Sequence, residues 1–333
     1  MNIQEHAALA PLTTFGIGGP AAYLVRAGTT EEIAEALQFA QEHRLKVFIL
    51  GGGSNTLFPD NGFDGLVIKI ENTGITQEGD VVIAEAGESW DRVVEYAVQH
   101  GLWGIENLSG IPGTVGGAVV QNIGAYGAAL SQTLTWVEVY DTHAKEVTQL
   151  TASDCAFGYR DSIFKQKDGK YIVLRAALKL SSTAAPDLSY RDLNQRFKNA
   201  TPELAEIRSA VIEIRNNKFP DLAREGTAGS FFKNPVLPLA QAQALREQYP
   251  DMPLFDLPES SGVKVPLGWI LDHVLKVRGL RIGSARLFEK QALVIVADNN
   301  RSSKDVRELA QEIQKKVFAT IAIAIKPEVT IVQ

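Results

Sequence analysis

Three stretches of this chain are rich in glycine, the residue that lets backbone N–H groups approach a phosphate with no Cβ in the way. Their surroundings decide what each can do. Gly16-Ile17-Gly18-Gly19-Pro20-Ala21 fits a relaxed dinucleotide fingerprint, but Pro20 interrupts it and no convincing strand leads into it. Gly51-Gly52-Gly53-Ser54-Asn55 does follow an apolar strand, yet Thr56-Leu57-Phe58-Pro59 does not open the helix that a Rossmann turn requires. No Gly-Lys-Ser/Thr follows, which excludes a P-loop, and Thr56 stands where a hydrolase nucleophile elbow needs glycine. The ATPase and esterase readings both fall.

The third stretch runs Leu108-Ser109-Gly110-Ile111-Pro112-Gly113-Thr114-Val115-Gly116-Gly117-Ala118 and continues to Gln121-Asn122-Ile123-Gly124-Ala125-Tyr126-Gly127. It is unusually small and apolar for a loop. A buried turn between strands is the simpler reading of its spacing, with ligand binding the alternative. Together with the strand-terminal glycines 51–53, it could hold a pyrophosphate between two small domains.

These loops need a mixed α and β framework. Thr29 and Glu32 have capping-box spacing ahead of Ile33, Leu37 and Ala40, which predicts a helix over 29–44. Short apolar runs predict strands at 47–50, 66–70, 81–84, 135–140 and 171–180, with a helix at 89–100 stopped by Gly101. Beyond Pro220 the texture changes, so a domain boundary is expected near Phe219. Helices are expected at 239–248 and 265–275, a strand at 292–297, and a capped helix from Ser303 with Val306, Leu309, Ile313 and Val317 on one face. A final strand is expected over 321–332.

At 333 residues the chain is about twice the usual domain size, so two or three domains are expected. A net charge of -6 weighs against a polyanion as partner, so no nucleic acid is expected, although a small anionic ligand is compatible. The one cysteine, Cys155, cannot form an internal disulfide and has no nearby histidine, which favours packing over nucleophilic chemistry. His6, His43, His100, His143 and His273 are too scattered for metal-ligand spacing, so no metal is expected. No stretch approaches the roughly 18 apolar residues of a membrane span, and the N-terminus lacks a leader pattern. A cytoplasmic monomer that avoids membranes is expected.

Along nearly the whole chain, a series of motifs resembles the UDP-N-acetylenolpyruvoylglucosamine reductases of bacterial cell-wall synthesis. In order they are Thr14-Phe15-Gly16-Ile17-Gly18-Gly19, Gly51-Gly52-Gly53-Ser54-Asn55, Ile111-Pro112-Gly113 with residues 121–127, and Phe157-Gly158-Tyr159-Arg160-Asp161-Ser162. Gly229-Ser230-Phe231-Phe232-Lys233-Asn234-Pro235 and Lys326-Pro327-Glu328-Val329 complete the series. Ala118-Val119-Val120 departs from the Ala-Pro-Ile of many relatives, and Ser189-Tyr190-Arg191-Asp192-Leu193 resembles the form with an extra tyrosine loop over the substrate.

The resemblance implies an α+β, vanillyl-alcohol-oxidase/PCMH-type FAD-binding fold, with two α/β domains clasping the flavin and a third α+β domain covering the substrate. The implied division is 1–68 with 320–333, 69–218, and 219–319, the PCMH-type region covering about 13–183. The family uses non-covalent FAD, takes hydride from NADPH, and reduces an enolpyruvyl nucleotide sugar to UDP-N-acetylmuramate for peptidoglycan. Cell shape and division depend on that product. Carried over residue by residue, the flavin contacts are Gly51, Gly53, Ser54, Asn55, Thr56 and Leu57 in the first loop and Ile111, Pro112, Gly113, Gly116 and Gly117 in the second. Gln121, Asn122, Gly124, Ala125 and Tyr126 follow.

Reduction of an enol ether by hydride builds negative charge next to the substrate carboxylate, and a cation with an acid nearby would stabilise it. By the same resemblance Arg160 and Glu328 stabilise that enolate, and Ser230 delivers the proton to carbon. A serine hydroxyl is too basic to do this alone, so Ser230 needs Lys233 or a water to recover its proton. Read from the residues only, Arg160 could pair with Asp161, Glu328 could be an edge-strand charge facing water, and Gly229-Ser230 could be a turn or helix cap. Burial beside Pro327 would instead keep Glu328 protonated. Substrate contacts carried over are Tyr126, Tyr159, Arg160, Tyr190, Lys218, Lys233, Asn234, Lys264 and Gln291, the lysines serving the diphosphate. An oxidase of the same fold and a non-catalytic nucleotide-binding module are the competing readings.

Overall fold

A computed structural model describes residues 1–256, 262–298 and 300–333. The chain divides into two units. The first comprises Met1–Ala8, Pro20–Gly53 and Phe63–Asn216; the second comprises Leu9–Gly19, Ser54–Gly62 and Asn217–Gln333. The cut after Asn216 falls close to the expected change at Phe219. Residues 320–333, expected beside 1–68, share the second unit with Ser54–Gly62.

In the first unit, strand Phe63–Ile70 lies between Pro20–Ala27 and Lys46–Leu50, parallel to both, with Ile3–Ala8 antiparallel on the outer edge. Parallel neighbours need a crossover. Helix Thr30–His43 crosses from Pro20–Ala27 to Lys46–Leu50, the two strands that flank Phe63–Ile70, burying Ile33, Ala36 and Ala40. Its start is the expected cap: Thr29 accepts from the Glu32 N–H, while the Glu32 carboxylate reaches back to the Gly28 N–H at 2.8 Å. A second, wholly antiparallel sheet runs Glu146–Thr151, Leu134–Asp141, Tyr171–Lys179, Val81–Glu85, Ile75–Glu78. Helix Trp90–Gln99 turns Trp90, Val93, Val94 and Ala97 inward, the spacing of a helix with one apolar face. Each buried valine contributes roughly 1.5–3 kcal/mol relative to exposure.

The second unit is built on the antiparallel sheet Gly226–Ser230, Gln291–Ala297, Ala285–Phe288, Arg281–Ile282. Helix Ser303–Ile321 buries Val306, Leu309, Ile313 and Val317, the stripe read from the sequence. A smaller sheet joins Val236–Pro238, Gly262–Lys264 and Phe255–Asp256.

Three expectations change, and two elements are added. The final strand contracts to Thr330–Ile331, because the preceding helix continues to Ile321 and closes on Ala322 at φ +54°. The helix expected at 265–275 is one short turn, Leu267–Trp269, passing into a π-helical turn, Ile270–Val274. Within the third glycine stretch, Val115–Gln121 is helical, capped by Thr114. Helix Leu204–Lys218 and strand Pro20–Ala27 were not anticipated.

Candidate functional site

The second and third glycine stretches meet face to face in the first unit. Gly51, Gly52 and Gly53 follow strand Lys46–Leu50 directly, and a Cβ on Gly52 would stand 2.5 Å from the Gly113 Cα. One on Gly51 would stand 2.7 Å from the Thr114 hydroxyl. Behind the first loop, Lys69 donates to the Gly51 carbonyl, and burial lowers the pKa of its ammonium. The second loop is stitched to the start of helix Trp90–Gln99. Gly116 N–H donates to the Ala86 carbonyl at 2.8 Å, Val115 N–H to Glu88 at 2.9 Å, and Trp90 N–H to Gly113 at 3.1 Å. Close packing therefore explains Gly51, Gly52 and Gly116, the simpler of the two readings. It does not explain Gly117, which is exposed and whose Cβ would meet only the Thr114 hydroxyl, at 3.6 Å.

Helix Val115–Gln121 ends on Asn122 at φ +44°, and its last residues are fastened to the segment that carries Arg160. The Asn122 amide donates to the Gly158 carbonyl at 3.0 Å, the buried Ser162 hydroxyl to Val120 at 2.6 Å, and Lys165 to the Gln121 side chain at 2.8 Å. Arg160 itself is left-handed, φ +54°, and its Nη2 donates to the Gly124 carbonyl at 2.6 Å. Its guanidinium also lies 5.7 Å from the Tyr159 ring centroid. The expected flavin and substrate residues Gln121, Asn122, Gly124, Tyr159 and Arg160 thus form one cluster.

Tyr126 sits beside it, buried and left-handed at φ +51°. Its carbonyl accepts from Asn107 Nδ2 at 2.9 Å, and the same amide holds the Asp187 carbonyl at 2.8 Å. The Tyr190 ring meets the Tyr126 ring edge-on, centroids 5.1 Å apart, and Tyr190 remains 38% exposed. Burial pushes the Tyr126 hydroxyl up to about 12, only partly offset by the hydrogen-bonded Arg215. Asn107, Lys69, Lys165 and Arg215 were missed from the sequence. Nothing in their local spacing marks them, because each acts on residues distant along the chain.

In the second unit, Ser230 ends strand Gly226–Ser230 beyond a break in register that starts after Thr227. Gly229, at φ +73°, permits that irregularity, and such bulges re-aim the following side chain. The next residues run antiparallel to 326–328: Lys233 N–H donates to the Lys326 carbonyl at 3.1 Å, and Glu328 N–H to the Phe231 carbonyl at 2.8 Å. Ser230 and Glu328 are therefore brought onto adjoining chain segments. On its other side Glu328 is held by Asn55, whose Nδ2 donates to the Glu328 carbonyl at 3.1 Å while strand Thr56–Leu57 pairs with Thr330–Ile331. Glu328 is half-buried and lies in a bend ahead of Thr330–Ile331, not within the strand expected over 321–332.

Of the remaining candidates, Asn234 accepts from the Leu267 N–H at 2.9 Å, and a Cβ on the neighbouring Gly268 would lie 3.4 Å from Gln291 Oε1. Those residues share one patch. Lys264, paired across the small sheet with Val236, lies over the Phe255 ring at 5.3 Å. Lys233 and Lys218 are half-buried, Lys218 ending helix Leu204–Lys218.

A family model described as an FAD binding domain matches residues 21–148, the span that carries both glycine loops. Match and loop pair together define an FAD-binding oxidoreductase. A second model, the UDP-N-acetylenolpyruvoylglucosamine reductase C-terminal domain, matches residues 221–332. Curated relatives with that reductase name include those of Neisseria gonorrhoeae (39% identical; 98% of this chain and 96% of the relative covered) and Pseudomonas aeruginosa (37%; 98% and 98%). The relative from Escherichia coli K12 is 38% identical over 96% of this chain and 94% of its own. Among solved structures, the UDP-N-acetylenolpyruvylglucosamine reductase of Thermus caldophilus superposes with a TM-score of 0.71 at 25% identity, covering 100% of this chain and 98% of that one. The chain belongs to the UDP-N-acetylenolpyruvoylglucosamine reductase family.

The residues present fit FAD. Gly117 offers an exposed, side-chain-free surface that packing does not require, and residues 111–117 carry no carboxylate to repel a diphosphate. Among the described residues, no helix is long and apolar enough to cross a membrane.

Proposed function

We propose that this chain reduces UDP-N-acetylglucosamine enolpyruvate to UDP-N-acetylmuramate, with NADPH as hydride donor, in peptidoglycan precursor synthesis. Held non-covalently, FAD would supply hydride transfer from NADPH to the enol ether. Gly51, Gly53, Ser54, Asn55, Thr56 and Leu57 hold it from the first loop. Ile111, Pro112, Gly113, Gly116 and Gly117 hold it from the second, where only small residues allow close approach.

Arg160 receives the substrate carboxylate. Anchored on Gly124, its guanidinium is pre-set in direction, so little orientation is lost when negative charge develops. Glu328 stabilises that charge by donating a hydrogen bond to it, and Ser230 protonates the adjacent carbon, recovering its own proton through Lys233 or water. Tyr126, Tyr159 and Tyr190 face the nucleotide sugar, and Lys218, Lys233, Asn234, Lys264 and Gln291 meet its diphosphate and sugar. The single observation that supports the reading is the Glu328 N–H on the carbonyl of Phe231, the residue that follows Ser230. A three-part division of the chain, a monomer and a cytoplasmic setting belong to the same proposal.

Ser230→Ala separates a reductase from a module that only binds. The variant is expected to accept hydride from NADPH at the wild-type rate and to lose turnover with the enolpyruvyl sugar. Normal turnover would remove Ser230 from the chemistry.

A further inference from the structure

Gly110, at the head of the 111–117 loop, is gripped on both faces of its backbone by charged side chains. Its N–H donates to Asp91 Oδ1 at 2.6 Å, and its carbonyl accepts from Arg215 Nε at 3.0 Å. Asp91 lies in the first turn of helix Trp90–Gln99 and is itself held by Arg208 through a two-pronged pair, at 2.7 Å and 2.9 Å. Arg208 and Arg215 lie seven residues apart on helix Leu204–Lys218, two turns along one face. Gly110 is in the left-handed region, φ +68°, and a Cβ there would stand 3.2 Å from the Arg215 side chain. A neutral turn of this kind needs one or two ordinary hydrogen bonds; this one is given a carboxylate and two guanidiniums, none of them in the reaction proposed above. Charge-assisted bonds are stronger and more directional than neutral ones.

We propose that Asp91, oriented by Arg208, and Arg215 form a clamp on Gly110 that fixes the path of the 111–117 loop for FAD, making the three positioning residues for the cofactor. The proposal rests on the reading that this loop touches the flavin. With the clamp in place the loop is ordered before FAD arrives, so binding carries a smaller ordering cost.

The test is titration of FAD into apoprotein, followed by flavin fluorescence, with the urea midpoint of each apoprotein measured in parallel. Asp91→Asn keeps an acceptor for the Gly110 N–H but loses the charge, and Arg208→Gln leaves that carboxylate unoriented. Each is expected to raise the FAD Kd on the order of tenfold. The rise should exceed any change in the urea midpoint, since a purely structural pair would lower the midpoint and leave Kd alone. Gly117→Ala, within the loop, is the control. If Gly117→Ala weakens FAD while Asp91→Asn and Arg208→Gln bind it within twofold of wild type, the clamp is wrong and the loop reading stands. If none of the three changes Kd, the loop reading falls as well. Should Asp91→Asn not fold, Arg208→Gln decides by the same criterion.

Discussion

Arg160 donates from Nη2 to the carbonyl of Gly124 at 2.6 Å, with its own backbone left-handed at φ +54°. One hydrogen bond thus aims a planar cation whose other donors lie in a fixed fork. Arg160→Lys keeps the charge but loses the fork. Its kcat is expected to fall roughly 10²–10³-fold, the cost of losing one preset donor to a developing anion. Steady-state kinetics with the enolpyruvyl sugar checks this; a kcat within threefold of wild type would mean that charge alone is needed.

Two glycines in the paired loops should respond in opposite ways. At Gly52 a methyl would meet the Gly113 backbone at 2.5 Å, so Gly52→Ala is expected to destabilise the apoprotein by about 1–3 kcal/mol. Gly117 has room for a methyl and lies in a helix, where alanine stabilises by about 0.5–1 kcal/mol. Gly117→Ala should therefore keep or raise apoprotein stability while weakening FAD. Urea unfolding and flavin titration of both variants check the contrast, and equal behaviour would contradict it.

Glu106 is buried, and loss of hydration raises its pKa despite the Gly104 N–H at 2.7 Å. Its folded pKa lies above the unfolded one, so its contribution to stability is fully present below the ordinary glutamate range. That contribution is lost as pH rises through the folded value. Glu106→Gln keeps the shape and an acceptor without the charge. It should raise Tm at pH 7 and lose that advantage near pH 4; an equal Tm difference at both values would show that the charge is not the cause.

Cys155 is fully buried, and desolvation pushes its thiol up to about 12. At pH 8 a colourless disulfide probe that releases a coloured thiol should find no reactive thiol in the native protein and one after denaturation. Rapid native labelling would show that the 151–156 turn opens readily.

What the sequence disclosed depends on how local each signal is. The helices at 30–43, 90–99 and 303–321 were legible because an apolar stripe or a cap marks them. Helix Leu204–Lys218 places Arg208 and Arg215 on the face of its buried Leu204, Ile207 and Val211, and strand Pro20–Ala27 opens on a proline, so neither announces itself. The glycine loops were visible as composition. Their face-to-face contact was not, because Gly52 and Gly113 are brought together only by the packing of the first unit. Arg160, Ser230 and Glu328 stood out through family resemblance. Their partners, the Gly124 carbonyl under the Arg160 guanidinium and the Phe231 carbonyl under the Glu328 N–H, are backbone atoms that no side-chain pattern reveals.

The most direct measurement is anaerobic. Purified protein, reduced with NADPH until its flavin absorbance bleaches, is mixed with UDP-N-acetylglucosamine enolpyruvate. Stoichiometric return of the oxidised flavin spectrum, with one UDP-N-acetylmuramate formed per flavin, is the expected result. A flavin that bleaches but stays reduced in the presence of the sugar would contradict the proposed reaction.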